Sequence, residues 1–152
     1  DDLINKIKRD FKNVPLPDQR CEWDDYYFLL FLNQIEPNLE NFDSLLLYEF
    51  PAHLSALSTI KKSDPRVCER FEIYLKGIEL CNCFNELTDL NTQKKRFDEQ
   101  AALKKNLYQY ALPEPTDFYK TLANNYPQSS GVALGVERLA ASLLDIENPF
   151  FN

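Results

Sequence analysis

The sequence is poor in the residues on which many catalytic and metal sites draw. It has one histidine, His53, so histidine-based catalysis has little to work with. Its four cysteines, Cys21, Cys68, Cys81 and Cys83, do not form a zinc pattern. Cys81 and Cys83 are one residue apart rather than two, and no second pair or nearby histidine completes a site. Reduced, buried thiols in a cytoplasmic setting are the expectation. Only three glycines occur, Gly77, Gly131 and Gly135, so each is expected to have a local task. No apolar run reaches the roughly 20 residues that a membrane-crossing helix needs, and the opening residues Asp1 to Lys6 lack a signal-peptide pattern. These absences predict no membrane partner. An initiator methionine is also missing, which with the abrupt start suggests a fragment.

What is present is ordinary for a folded domain. The 152 residues are 44% hydrophobic and 27% charged, enough for one domain with a real core. Aromatics at 13% argue for packed surfaces rather than disorder. The net charge of -7 argues against this surface being a nucleic-acid platform.

Leu3, Ile4, Ile7 and Phe11 recur at helical spacing, and Pro15 and Pro17 end that helix. Trp23 to Ile35 is apolar on most sides and reads as a second, buried helix, followed by a loop from Pro37 to Asp43. Ser44 to Phe50 reads as an interior strand, and His53 to Ile60 as a short helix before the Asp64-Pro65 turn. From Val67 to Lys76, Phe71, Ile73 and Leu75 share one face and Glu72, Tyr74 and Lys76 the other, a half-buried strand. Gly77 breaks it, so an antiparallel neighbour is expected next. Asn91 to Tyr110 reads as a charged helix with Asp89 or Thr92 as cap. Thr116 to Asn125 reads as another, with Phe118, Leu122 and Tyr119 inward. A glycine-bracketed strand, Ser129 to Gly135, leads into a buried helix marked by Val136, Leu139, Ala140, Leu143 and Leu144.

The stretch from Gly77 to Asp89 carries the densest chemistry. Asn82, Phe84 and Glu86 are two apart and share one strand face, with Cys81 and Cys83 on the other. An amide, a ring and a carboxylate on one face suit a small cationic ligand with its own carboxylate; the plain alternative is an edge strand with a solvated polar face. Asn82 would meet the carboxylate and Glu86 the ammonium, while Phe84 is either an apolar wall or core. Glu72 and Glu79 lie on neighbouring predicted strands and either bind Mg²⁺ together or are surface acids. Glu79 and Asn82 differ in parity, so a shared ligand face requires a bulge between them. In the second constellation, Gly131 to Arg138, the glycines permit close approach of a ligand or backbone. Arg138 stands where strand passes into helix, where a guanidinium can stack on a base or fork a phosphate.

The run Gly-Ile-Glu-Leu-x-Asn-x-Phe-x-Glu-Leu-Thr-Asp from Gly77 to Asp89, followed by Gln93 and Arg96-Phe97, resembles the amino-acid-binding strand of class II lysyl-tRNA synthetases. It is closer still to their truncated relatives, the elongation factor P–(R)-β-lysine ligases. Gly-x-x-x-Gly-x-Glu-Arg, ending at Arg138, resembles motif 3 of the class II synthetases. Tyr48-Glu49-Phe50-Pro51-Ala52, Asp64-Pro65-Arg66-Val67 and Glu69-Arg70-Phe71-Glu72 also fit. Cys81 and Cys83 depart from the family's small residue and glycine, and His53-Leu54 from its usual Ser-Gln. Ala133 stands where the lysyl-tRNA synthetases usually have glycine and the ligases alanine.

The resemblance implies an α+β fold, an antiparallel sheet flanked by helices, as the C-terminal half of a class II catalytic domain. Residues 1–152 would be a single domain, with 1–43 a helical variable region and 44–152 the sheet with motif 3. Arg138 and Glu79 would be catalytic. Glu72, Glu79, Arg138 and Gly135 would bind ATP, with Glu72 and Glu79 holding Mg²⁺. Asn82, Phe84, Glu86, Ala133 and Gly131 would hold lysine or β-lysine. The implied activity is ATP- and Mg²⁺-dependent activation of (R)-β-lysine, then transfer to a lysine of elongation factor P. The alternatives are a lysyl-tRNA synthetase, with tRNA as acceptor, or a non-catalytic paralogue that senses an amino acid or binds a partner. A homodimeric parent is a further expectation. No motif 1 or motif 2 is visible, so the 152-residue chain by itself is expected to be inactive.

Overall fold

The computed structural model describes residues 2–19, 21–144 and 146; Asp1 and Arg20, which fall in the expected first helix and the connection after it, lie outside the described residues. Among the described residues six α-helices and four strands follow in the order α1 (Asp2–Asp10), α2 (Trp23–Leu30), α3 (Glu36–Leu39), β1 (Ser44–Tyr48), β2 (Arg70–Leu75), β3 (Ile78–Asn85), α4 (Leu90–Tyr108), α5 (Thr116–Ala123), β4 (Ser130–Leu134) and α6 (Val136–Leu144). The strands form one antiparallel sheet in the order β1-β2-β3-β4. This is the expected α+β class. No helix among the described residues is long and apolar enough to cross a membrane. The chain divides into two units. The first comprises the chain up to Tyr48, Phe71–Asn82 and the chain from Ala133; the second comprises Glu49–Arg70 and Cys83–Val132.

In the first unit the apolar stripe of α1 buries Ile7 against Val14 and Tyr26, with Leu3, Ile4 and Phe11 packed around them. The second helix does not run uniformly to Ile35. It widens into a π-helical turn over Phe31–Ile35, and helix resumes as α3 with Pro37 in its first turn. Proline has no N–H to give and is tolerated where a helix begins, so the start of the loop expected over Pro37 to Asp43 is instead a restarted helix as far as Leu39, and the loop proper follows it. The side-chain amides of Asn33 and Asn38 donate to the carbonyls of Leu29 and Gln34, four residues back. Phe31, Leu39 and Tyr74 form a second core cluster, with Tyr27, Leu45 and Leu47 around them.

The pairing of β1 with β2 sets Leu45 opposite Tyr74 and Leu47 opposite Glu72, so these four share the core face. Leu46, Tyr48 and Phe71 lie on the exposed face. The expected interior strand is thus an edge strand, because only alternate residues of its apolar run are covered. Lys76 and Gly77 both have positive φ, 47° and 80°, and make the two-residue turn that joins β2 to β3. Such a turn pairs Leu75 with Ile78, and unbroken pairing from there puts Glu69 opposite Phe84. The Asn85 N–H instead donates to the Glu69 carbonyl at 2.9 Å, so β3 carries one extra residue. Leu80 and Cys81 are buried in succession, which marks where the alternation shifts. Beyond that point the parity of β3 reverses, and Asn82 returns to the parity of Glu79.

Helix α6 forms as expected, yet none of its described residues is buried, and Leu143 and Leu144 are well exposed. Helical spacing of apolar residues defines a stripe but not what covers it, and so the expected burial fails.

In the second unit Ala52–Leu54 is a single 3-10 turn rather than a helix reaching Ile60. Short bridges between Pro51 and Val67, Ile60 and Cys68, and Ser58 and Glu86 tie the following loop down. Asp89 caps α4, its carboxylate accepting from the Thr92 N–H at 2.8 Å. Tyr119 and Leu122 of α5 are buried; Phe118 is exposed, though its ring lies 5.8 Å from that of Phe97. The expected inward Phe118 is therefore a rim residue, one helical position off the buried stripe. Cys68, Cys81 and Cys83 are buried and all four cysteines are free thiols.

Candidate active site

Glu72, Glu79, Asn82, Ala133, Gly135 and Arg138 belong to the first unit; Phe84, Glu86 and Gly131 belong to the second.

In the first unit the strand acid and the helix-start arginine meet. The Gly135 N–H donates to the Leu80 carbonyl at 2.8 Å, which ends β4 beside β3. The chain then turns into α6, where the Leu139 N–H returns to the Gly135 carbonyl at 2.9 Å. Arg138 folds back over this turn. Its Nη1 donates to the Glu79 carbonyl at 3.0 Å and lies 3.8 Å from Glu79 Oε2. A Cβ on Gly135 would come within 3.2 Å of Arg138 Cδ, so the glycine makes room for the arginine stem. The Arg138 side chain is 58% exposed and that of Glu79 37%, an open pair rather than a buried one. A guanidinium has five N–H donors, and both contacts to Glu79 run through Nη1.

Glu72 is in a different state. It is only 5% exposed, and its Oε2 accepts from the Tyr74 hydroxyl at 2.7 Å. Tyr74 shares the Glu72 face because it lies two residues on, a parity readable in the sequence, although its role as a donor was not. Burial, followed by the hydrogen bond to Glu72 and the nearby charges of Glu72, Glu79 and Glu36, pushes the Tyr74 hydroxyl well above its ordinary pKa. Tyr74 therefore remains a protonated donor at any physiological pH. Asn82 is half-buried on β3 and Ala133 exposed on β4.

The second unit fixes its candidate residues by steric fit and hydrogen bonds. A Cβ on Gly131 would overlap Glu86 Oε1, so the carboxylate occupies the space that the glycine leaves. The Glu86 N–H donates to the Ser129 carbonyl at 3.0 Å, which holds this carboxylate beside β4. Just before β2, Glu69 Oε2 accepts from Thr59 Oγ1 and Asn85 Nδ2, each at 2.6 Å. The Thr59 bond first and the Asn85 bond second hold the Glu69 carboxyl below its ordinary pKa. Phe84 faces a cation: the Arg70 guanidinium lies 5.6 Å from its ring centroid and 4.4 Å from that of Phe50. Arg70 sits inside the motif run Glu69 to Glu72, but nothing in the sequence distinguished it from a surface charge.

The donor set suits a magnesium shared with a nucleotide rather than a protein-only cage. No group of three or more metal-binding side chains occurs among the described residues. Mg²⁺ keeps several waters and is usually held by one or two carboxylates plus phosphate oxygens. Glu79 is the more accessible of the two acids, whereas Glu72 already accepts from Tyr74.

Comparison with known proteins bears on this arrangement. The family model for class II tRNA synthetases (D, K and N) matches residues 6–148. The chain belongs to this family. It is 39% identical over 147 residues to the elongation factor P–(R)-beta-lysine ligase of Pectobacterium atrosepticum, covering 93% of this chain and 45% of that protein. The ligase of the same name from Enterobacter sp. strain 638 is 40% identical over 140 residues, covering 92% and 42%. That of Histophilus somni strain 2336 is 43% identical over 122 residues, covering 78% and 37%. The chain thus spans less than half the length of these relatives.

Proposed function

We propose that this class II synthetase chain acts within a longer protein that activates (R)-β-lysine with ATP and transfers it to a lysine of elongation factor P, in the cytoplasm. The observation that carries the reading is the Glu79–Arg138 pair, which joins the strand acid to the arginine of the Gly-x-x-x-Gly-x-Glu-Arg run. The ligase names of the relatives favour β-lysine over α-lysine as substrate, and Ala133 agrees with them.

In this reading the substrate carboxylate attacks the α-phosphorus of ATP, an aminoacyl-adenylate forms and pyrophosphate leaves. Arg138 would hold the distal part of ATP through its exposed guanidinium, with Gly135 giving it room. Glu79 and Glu72 would hold Mg²⁺, which would supply charge neutralisation at the phosphates. Of the residues proposed to hold the amino acid, Asn82 with Ala133 in the first unit would serve its carboxylate end, and Glu86 with Phe84 and Gly131 in the second would serve its ammonium end. No side-chain nucleophile takes part; rate comes from positioning and charge stabilisation.

Pyrophosphate exchange by the full-length protein tests this, run with α-lysine and (R)-β-lysine, followed by transfer assays to elongation factor P and to tRNA. Exchange that prefers (R)-β-lysine, with acylation of elongation factor P, is expected. A preference for α-lysine with tRNA as acceptor would make the protein a lysyl-tRNA synthetase. No exchange with either would leave a non-catalytic paralogue.

A further inference from the structure

The amino-acid side of the proposed site contains a cation that the reaction does not use. Arg70 opens β2 and its side chain is stacked on Phe50 at 4.4 Å, faces the Phe84 ring at 5.6 Å and donates from Nη1 to the Leu54 carbonyl at 3.2 Å. We propose that Arg70 is a positioning residue, its guanidinium holding the Phe84 ring in the pose that walls the amino-acid pocket. The inference rests on the reading of Phe84 as a pocket residue.

Three features support it. First, the base of the stack is firm, because Phe50 is buried and its carbonyl accepts from the Cys68 N–H at 2.8 Å. Second, the backbone that follows Phe84 is already tied. The Asn85 N–H and side-chain amide both bond to Glu69, and the Glu86 N–H bonds to Ser129. Rotation of the ring about its own side-chain bonds is the freedom left, and the guanidinium lies against that ring. Third, the geometry suits arginine rather than lysine. A planar, weakly hydrated guanidinium can cover one ring, face a second and still donate in its plane to a carbonyl; an ammonium cannot do all three.

The experiment uses the full-length protein and pyrophosphate exchange with (R)-β-lysine and α-lysine, with KM for amino acid and for ATP measured separately. Phe84→Leu is the reference variant and is expected to raise KM for the favoured amino acid. Arg70→Met should raise the same KM by about 10-fold while KM for ATP stays within about 2-fold, and Arg70→Lys should recover only part of the loss. Phe50→Leu, which loosens the stack from its other side, should shift the amino-acid KM in the same direction, and it keeps the test available if Arg70→Met folds poorly. Arg70→Met combined with Phe84→Leu should be no worse than Phe84→Leu alone, because both act on one ring. A lowered melting temperature with both KM values unchanged, or moved equally, would overturn the proposal and leave Arg70 as a loop fastener. If Phe84→Leu raises the amino-acid KM and neither Arg70→Met nor Phe50→Leu does, the positioning role fails while the pocket reading stands. If Phe84→Leu has no effect on KM, the pocket reading fails and this inference fails with it.

Discussion

The two units hold their candidate residues by different means. In the first, Glu79 and Arg138 meet on an open surface, at 3.8 Å between charged atoms, and the helix that carries Arg138 buries none of its described residues. In the second, every candidate residue is constrained by something adjacent: Glu86 by the absent side chain of Gly131, Phe84 by Arg70, and the strand beside them by Glu69 with Thr59 and Asn85. An exposed ion pair contributes little to stability, with a median near 0–1 kcal/mol. A hydrogen-bonded, sterically fitted pocket specifies shape instead. In the proposed reading, Glu79 and Arg138 of the first unit serve charge, and Glu86 and Phe84 of the second serve shape.

The largest test of this contrast separates activity from stability at Arg138. In the full-length protein, Arg138→Ala is expected to lower pyrophosphate exchange by about 100-fold or more, while unfolding free energy changes by less than about 1 kcal/mol. Denaturant titration beside the exchange assay checks both; a large loss of stability would erase the distinction between the units. Next comes Gly131→Ala, where the new methyl displaces the Glu86 carboxylate rather than opening the fold. Amino-acid KM should rise by about 10-fold or more, with KM for ATP nearly constant. An unchanged amino-acid KM would mean that Glu86 rotates away without consequence.

Two smaller predictions probe the hydrogen-bonded carboxylates Glu72 and Glu69. Tyr74→Phe removes one donor from Glu72, which is 5% exposed, and should cost about 1.5–3 kcal/mol by denaturant unfolding. A neutral result would place the tolerance for a lost donor in the first unit as well. The last concerns pH. Glu69 has its folded pKa below the ordinary value of 4.5, so its ionisation stabilises the folded state above that value. The contribution is lost as pH falls from about 4.5 through the lower folded pKa. The melting temperature of the natural protein should therefore exceed that of Glu69→Gln at neutral pH, and the gap should narrow below pH 4.5. A gap that is constant across this window would show that the carboxylate charge is not what Thr59 and Asn85 select.

Local rules in the sequence were enough for several of these features. Asp89 precedes an α-helix with the spacing of a cap, and caps it. Gly77 interrupts an alternating run and turns it back as a hairpin. Cys81 and Cys83 are buried as small apolar side chains on a strand should be. The spacing from Gly131 to Arg138 anticipated a strand that ends in a helix start, since glycine, parity and helical period act over a few residues.

Other features depended on which residues the fold brings from far along the chain. The burial of Glu72 follows from Leu47, Tyr74 and the packing around Phe31 and Leu39, so an acid that reads as exposed lies on the core face. The cation on Phe84 comes from Arg70, held by Phe50 and the Leu54 carbonyl. The extra residue in β3 appears only when the turn at Lys76-Gly77 and the Asn85–Glu69 bond are taken together. The stripe of α6, read as buried, is half-buried at Leu139 and Ala140 and exposed at Val136, Leu143 and Leu144, because amphipathicity records an apolar side without naming its partner. The sequence by itself determined most of the elements and the order of chemical groups along them, because those depend on neighbours within a few bonds. Tertiary structure alone decided which charges are satisfied, which are open and which ring a cation covers, because desolvation and pairing depend on residues distant in the chain.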